Sequence, residues 1–581
     1  MAQVTEQEKP GWLHAWASEW AAFRQAREEQ VFLVLTLLIG ALTGLAVVAF
    51  ILLTENFGTR LIPVGSSPWR RLWVPIGGSL AMGYLLYRYF PDARGSGVPQ
   101  TKAALFAREG KITLSTVFGK FFCTSATLAS GIPLGREGPA VQVGGGIASV
   151  LGRALGLRQE RVKALIPVGA AAAVAAAFNT PLAAVLFALE EVVGDMHAPV
   201  LGSVVLASAT SWGVLRLLLG NDPLFQVPQY QLVNPWELVI YTILGVAGGL
   251  VSVAFTQLLL RSREWFMKLP RRTVWYQPVA GGLLVGVMGW FVPQVMGVGY
   301  SYVGKALNDQ MVLKMMVLLL VLKLIATAIS YASGNAGGIF GPSLFMGAML
   351  GGAIGGAAHH IFPAYVATPG AYALVGMGTA FAGVVRAPMT SVVMIFEITR
   401  DYAVIVPLMI SNLVSYFIAS RIQKDPIYDV LADQDGIHLP LGRGQGPKQR
   451  QVIEVMHPAG EWLDAEASLQ ETLQKIGHET QRAWPVCDPG GIIGMVTLEQ
   501  LNKAAQEPEP KKQVGDLIGG RDFPHLHSDH SLDLALDRMG ASHMDLLPVV
   551  SRANLHQLLG VVRLRDVLKS YGVENVDDGG S

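Results

Sequence analysis

From Val31 to about residue 422 the chain is a succession of apolar segments separated by short polar or Gly/Pro-containing breaks. Val31 to Leu53 is about 23 residues, enough for one helix to cross a bilayer. Further long apolar stretches at 72–90, 236–260, 277–292, 311–330 and 402–420 each predict a membrane helix. Those at 139–152, 163–177, 181–194 and 342–358 are shorter or interrupted by Gly and Pro, so the pattern predicts tilted, uneven and re-entrant helices. Non-helical backbone at membrane depth is tolerated only where protein buries it or where it lines a cavity, and the interruptions therefore mark a pathway. Ahead of these segments Trp12, Trp16 and Trp20 recur at one helical turn, with Arg24, Arg27, Glu28 and Glu29 beyond. Residues 1–30 accordingly read as an amphipathic helix on the membrane surface.

The breaks are not random. Gly135-Arg136-Glu137-Gly138-Pro139 and Gly338-Ile339-Phe340-Gly341-Pro342 share a Gly-x-x-Gly-Pro skeleton about 200 positions apart, each followed by a glycine at one offset, Gly144 and Gly347. Gly169, Pro181 and Glu190 recur with identical spacing as Gly376, Pro388 and Glu397. Broken apolar helices in corresponding positions of two halves point to a midplane binding site in a transporter built from repeats.

After Arg421 the composition turns soluble. The predicted organisation is a membrane domain over 31–428, a Gly- and Asp-containing linker over 429–450, two similar modules over 451–507 and 513–572, and a tail over 573–581. Each module opens on an apolar start (Val452–Met456; Val514–Ile518), continues with an amphipathic helix, and then has a strand carrying Pro485-Val486 or Pro548-Val549. A Gly-apolar-apolar strand and a last helix close each module.

Composition narrows the classes. With 51% hydrophobic residues, mean hydropathy of +0.40 and 15% charged residues, the chain falls among membrane proteins. Its 65 glycines suit helices packed backbone to backbone in lipid. A net charge of +1 without a basic stripe gives nucleic acid no electrostatic footing. Cys123 and Cys487 lie in such different settings that a disulfide between them is not expected. The N-terminus reads as lacking a cleaved signal. No G-x-S-x-G, P-loop or H-E-x-x-H pattern is found, so no enzyme is expected. His525, His527 and His530 read as a solvated edge, with no metal.

The chemistry concentrates at Glu137. A carboxylate flanked by glycine, just upstream of a helix expected to begin at Pro139, sits where free N–H groups and the positive end of a helix dipole favour an anion. A mobile anion would compete with the tethered carboxylate, which makes Glu137 a candidate gate. Protonation would release it, and a bound anion would favour that protonation by like-charge repulsion. One helix terminus contributes at most ~2 kcal/mol, against an idealised ~20 kcal/mol for desolvating an ion, so several donors must converge. Amides around Ile339 and Phe340, the hydroxyl and amides of Gly95-Ser96-Gly97, the Gly138 amide and the Tyr428 phenol are the candidates. Neutral dipoles suit an ion that must leave again.

Taken together, GSGVP, GREGP and GGIFGP in this order resemble the CLC family of chloride channels and proton-coupled chloride transporters, and the two soluble modules resemble a tandem pair of CBS domains. The resemblance implies a multi-span α-helical membrane protein: an inverted-repeat bundle of tilted, broken helices followed by a soluble α/β CBS pair. It implies chloride bound by Ser96, Ile339, Phe340 and Tyr428, and an external gate at Glu137. It also implies a homodimer in a plasma membrane with the CBS pair in the cytoplasm. Two departures are Val98 for the commoner Ile and Gly341 where Ala is frequent. A glutamate at Glu191 implies a chloride/proton antiporter, with Glu191 the internal proton residue and Glu190 structural like its mate Glu397. A passive voltage- or pH-gated chloride channel of the same fold is the alternative. Ser96 favours chloride, since proline there accompanies nitrate preference. No cofactor is required. Adenine nucleotide at the CBS pair would involve Thr497 and Asp566, although Arg563 replaces a usual Thr and Gln500 a usual Asp.

Overall fold

In a computed structural model the described residues are 28–439 apart from 197–198, 221–224, 226, 229, 231, 401 and 438, and 451–570 apart from 459–461, 477–481, 507–512, 519–522 and 543. The surface helix expected over residues 1–30 thus lies almost wholly outside the described residues, as do most of the linker and the 573–581 tail. Two compact units divide the chain, residues 1–440 and 441–581.

Among its described residues, the first unit is built of helices. Its first half contains α1 (Glu28–Leu61), α2 (Pro68–Arg88), α3 (Val98–Phe106), α4 (Leu114–Ala129), α5 (Glu137–Ala154), α6 (Gln159–Phe178), α7 (Pro181–Phe187) and α8 (Leu201–Leu219). The second half repeats the series as α9 (Glu237–Lys268), α10 (Pro278–Phe291), α11 (Tyr300–Leu307), α12 (Leu313–Ala332), α13 (Phe340–Ile361), α14 (Pro369–Val385), α15 (Pro388–Thr399) and α16 (Ile405–Ile422). A short α17 (Ile427–Gln434) follows. Among the described residues, seven helices are long and apolar enough to span a membrane. At 34 and 32 residues, α1 and α9 are each about 50 Å long, against a hydrocarbon core of about 30 Å, an excess that tilting or extension past the core accommodates. Their outward faces, Leu33, Leu37 and Leu45 on α1 and Val239, Ile243 and Leu250 on α9, are apolar and exposed, as a lipid-facing surface requires.

The repeated glycines are packing devices. A Cβ on Gly144 would lie 2.2 Å from the carbonyl oxygen of Gly169, and one on Gly347 would lie 2.1 Å from that of Gly376. The paired glycines let α5 meet α6 and α13 meet α14 at backbone distance. The glycines of the 342–358 segment do not interrupt it: α13 runs 22 residues without a gap. The 429–450 linker also begins later than its polarity suggested. Tyr428, Asp429, Leu431 and Ala432 are buried on α17, because that short amphipathic helix turns one face to the membrane unit.

In the second unit, β1 (Leu463–Asp464), β2 (Ala483–Asp488) and β3 (Gly491–Thr497) form one sheet, β1 parallel and β3 antiparallel to β2. Strands β4 (Leu546–Val550) and β5 (Leu558–Arg563) pair antiparallel as the second. Short helices flank them: α18 (Val452–Val455), α19 (Leu469–Ile476), α20 (Leu498–Ala505), α21 (Leu532–Ser542) and α22 (Leu564–Ser570). The opening segments are exchanged between modules. Val452 is buried with Leu526, Leu547 and Val562 of the second module, whereas Val514 is buried with Trp484, Val486 and Val496 of the first. Backbone bonds follow the same swap, His457 with Val561 and Val514 with Ala467. Cys123 and Cys487 are both free and buried, and burial pushes the Cys487 thiol up to about 11, leaving it protonated and unreactive at neutral pH.

Substituting Gly347 by Leu forces two backbones apart and should cost about 3 kcal/mol or more. Thermal unfolding in detergent should show a clear fall in Tm or loss of the monodisperse species. Gly202→Ala, where a Cβ meets nothing within 4 Å, should leave Tm unchanged or slightly raised; equal behaviour of the two variants would refute the packing role.

Candidate functional site

The two Gly-x-x-Gly-Pro loops meet each other. Gly135 N donates to Gly338 O at 2.7 Å and Gly338 N to Gly135 O at 2.7 Å. Reciprocal contacts between equivalent residues are the mark of a two-fold relation, here between the halves of one chain. A second reciprocal pair supports it. Glu190 accepts from the amides of Met389 (3.3 Å) and Thr390 (2.8 Å) at the start of α15. Glu397 accepts from Leu182 (2.9 Å) and Ala183 (2.8 Å) at the start of α7. Each carboxylate of the repeated pair caps the other half's helix, so Glu190 is occupied in holding the halves together.

Four helix starts converge around this contact. Gly97, at φ +106°, is the residue before α3, and a side chain there would run into the Gly138 carbonyl at 2.2 Å. Glu137 and Gly138 open α5. This helix begins two residues before the expected Pro139, since proline in a first turn has no N–H to lose. Ile339 precedes α13 and Phe340 opens it, its ring packed on Phe381, Phe178 and Phe187 at centroid distances of 4.3, 4.7 and 5.6 Å. Tyr428 lies in the first turn of α17, beside Ser96. Ser96 and Tyr428 are fully buried, and neither hydroxyl completes a hydrogen bond among the described residues. Buried donors left open in this way are costly unless a ligand takes them.

Glu137 is itself fully buried. Its Oε2 accepts from the Gly341 amide at 3.2 Å and its Oε1 accepts from the Tyr300 hydroxyl. A carboxylate from the first half thus sits on the helix start of the second. Arg136 does not pair with it: its guanidinium reaches Glu55 at 3.0 Å. Glu191 lies on a stretch of wider π-helical turns, 188–193, that continues α7, and it is 1% exposed. Lys102 Nζ lies 3.2 Å from Glu191 Oε1 and also pairs with Asp429, the residue after Tyr428.

Two cavities are lined by neighbours of these residues. One of about 500 Å³ is lined by Gly95, Tyr331, Arg94, Arg263 and Asp435, and another of about 420 Å³ by Tyr300, Arg136, Lys305 and Glu55. The first lining includes Gly95, the neighbour of Ser96 in sequence, and the second includes Arg136 and Tyr300, the latter bonded to Glu137; in both, cations outnumber carboxylates, which favours anions.

Several residues of the site were not found from sequence. Lys120 donates to the carbonyls of Ala93 (3.0 Å) and Gly95 (2.6 Å), clamping the loop that carries Ser96. Lys323 does the same to Val295 (3.2 Å) and Gly297 in the second half. The two lysines are displaced by the same interval as Gly135 and Gly338, so the repeat register contained the signal. Lys102, Asp429 and Tyr300 carried no such mark.

In the second unit the structure separates the two proposed nucleotide residues. Thr497 lines a cleft of about 1250 Å³ with Arg482, Lys503 and Asp545, and caps α20 in a reciprocal arrangement with Gln500. Asp566 is absent from that lining and pairs with His457 at 3.0 Å. Of the histidines, His525 and His527 use Nδ1 on the carbonyls of Phe523 and Val550, and His530 Nδ1 accepts from the His527 amide.

Comparison with known proteins assigns the fold. The family model described as voltage gated chloride channel matches residues 77–420, and the CBS domain model matches 452–507 and 514–572. A Vibrio cholerae protein named H(+)/Cl(-) exchange transporter ClcA is 32% identical over 413 residues, 69% of this chain and 88% of its own. The crystal structure of a slow cyanobacterial Cl-/H+ antiporter superimposes with a TM-score of 0.64 at 28% identity, covering 70% of this chain and 97% of that one. A eukaryotic CLC transporter shares the fold over 92% of this chain, with a TM-score of 0.62 at 19% identity. The chain belongs to the CLC family, a family of membrane channels and transporters, not enzymes, and carries a C-terminal CBS pair.

Replacing Tyr428 by Phe removes one of the two open hydroxyls while keeping the ring. Halide binding measured by calorimetry on the detergent-solubilised protein should weaken about three- to tenfold, the worth of one hydrogen bond; unchanged affinity would remove Tyr428 from the site.

Proposed function

We propose that this protein is a secondary active chloride/proton antiporter. Chloride would pass through a midplane site made by Ser96, Gly97, Gly138, Ile339, Phe340 and Tyr428, with Glu137 as the gate. The carrying observation is the Glu137 carboxylate seated on the Gly341 amide at the start of α13, an anion-favouring position. A carboxylate held there competes with a mobile anion and leaves when protonated, so one proton and one anion alternate at one place.

Glu191 is proposed as the internal proton residue. It is buried, it lies on wider helical turns of the kind that recur at functional sites, and its salt bridge to Lys102 stabilises a charge inside the membrane unit. Its neighbour Glu190 has its carboxylate committed to α15, which leaves Glu191 as the member of the pair with a transport role. The names of the relatives, an H(+)/Cl(-) exchange transporter and a Cl-/H+ antiporter, agree with this reading. By family resemblance the protein works as a homodimer in the plasma membrane with its CBS pair in the cytoplasm. Adenine nucleotide at that pair is a subordinate proposal supported by the 1250 Å³ cleft.

In liposomes with a chloride gradient, no pH gradient and voltage clamped by ionophore, protons should move uphill against the chloride flow. Glu137→Ala should retain anion flux with proton movement abolished, and Glu191→Val should likewise uncouple protons while chloride still crosses. Chloride flux without proton movement in the unsubstituted protein would make it a channel, and intact coupling in Glu191→Val would make Glu191 structural.

A further inference from the structure

Glu137 is held by a side chain of the other half. Tyr300, the first residue of α11, donates its hydroxyl hydrogen to Glu137 Oε1. By position in the repeat it is the counterpart of Gly97. The loop of the first half thus supplies Ser96 and backbone to the site, and the equivalent loop of the second half supplies a phenol to the carboxylate.

The tyrosine is firmly placed. The Arg136 guanidinium lies 5.6 Å from its ring centroid and Phe225 packs edge-on at 5.6 Å. Lys323 anchors the preceding loop at Val295 and Gly297. Room for the hydroxyl comes from Gly341, where a Cβ would stand 3.0 Å from the phenol oxygen and 3.1 Å from Glu137 Oε2. One glycine therefore admits the tyrosine hydroxyl and the carboxylate side by side.

We propose that Tyr300, admitted by Gly341, is a latch: a positioning residue that holds the Glu137 carboxylate in the anion position and so sets how readily chloride displaces it. The proposal rests on Glu137 being the gate. A hydrogen bond to an ionised acceptor is about twice as strong as one between neutral groups, and the other charged neighbours do not replace it. Arg136 is engaged with Glu55, and Lys102 with Glu191 and Asp429. Incoming chloride must break both the phenol and the amide contact. Without the phenol it faces the Gly341 amide alone, and its apparent affinity should rise about tenfold.

Calorimetric titration of chloride into the detergent-solubilised full chain tests this. Glu137→Ala should tighten chloride binding most. Tyr300→Phe should tighten it about tenfold, and Gly341→Ala, which crowds the hydroxyl while keeping the ring, should shift it the same way. The Glu137→Ala/Tyr300→Phe double variant should bind as Glu137→Ala does. Wild-type affinity in Tyr300→Phe or Gly341→Ala, alongside tight binding in Glu137→Ala, overturns the latch and leaves the gate standing. Further tightening in the double variant overturns it as well, since Tyr300 would then act without Glu137. No tightening in Glu137→Ala takes the gate and the latch down together.

Discussion

The two hydrogen bonds between Gly135 and Gly338 hold the membrane unit's functional geometry together. They join the two halves at the places where each leaves helical conformation, in a medium that offers no water to a stray amide or carbonyl and charges several kcal/mol for each one left open. Because each loop satisfies the other, both can stay irregular at depth. The first amides of α5 and α13 then face a common point. The exchange of Glu190 and Glu397 between the starts of α15 and α7 locks the same relation a second time.

From that geometry follows the way the site manages charge. An ion that must be released calls for many weak donors, because one fixed cation in contact would hold it. The buried cations nearby are each engaged elsewhere: Arg136 on Glu55, Lys102 on Glu191 and Asp429, Lys120 and Lys323 on loop carbonyls. Their charges shape the field, while the lysine clamps also stiffen the loops that present Ser96 and Tyr300. Among the described residues, the hydroxyls of Ser96 and Tyr428 are left open. Glycine serves the same end, permitting the backbone approaches at Gly97, Gly144 and Gly347 that bring the helices together.

Lys102 joins the proposed proton residue to the segment that carries Tyr428. It extends from α3, which follows the Ser96 loop, to Glu191 and to Asp429 beside Tyr428. Movement of the α17 start would alter the lysine's division between two carboxylates.

The sequence alone carried the membrane class and the two-half organisation, because these rest on apolar segment length and on glycines recurring at one interval, and the CBS pair was legible by the resemblance of its two modules. It also singled out Glu137, an ionisable residue in a helix-start motif. Side-chain partnerships between segments were not legible. Glu137 meets Tyr300 and Gly341, Glu191 meets Lys102, and Arg136 meets Glu55, each across a separation that no local periodicity records. The exchange of opening segments between the CBS modules was hidden for the same reason, since Val452 and Val514 suit either core by composition and only proximity chooses. Local pattern determined which helices form and where they break; the two-fold docking of the halves decided which broken ends face each other, because that choice is made by through-space packing and hydrogen-bond satisfaction in lipid.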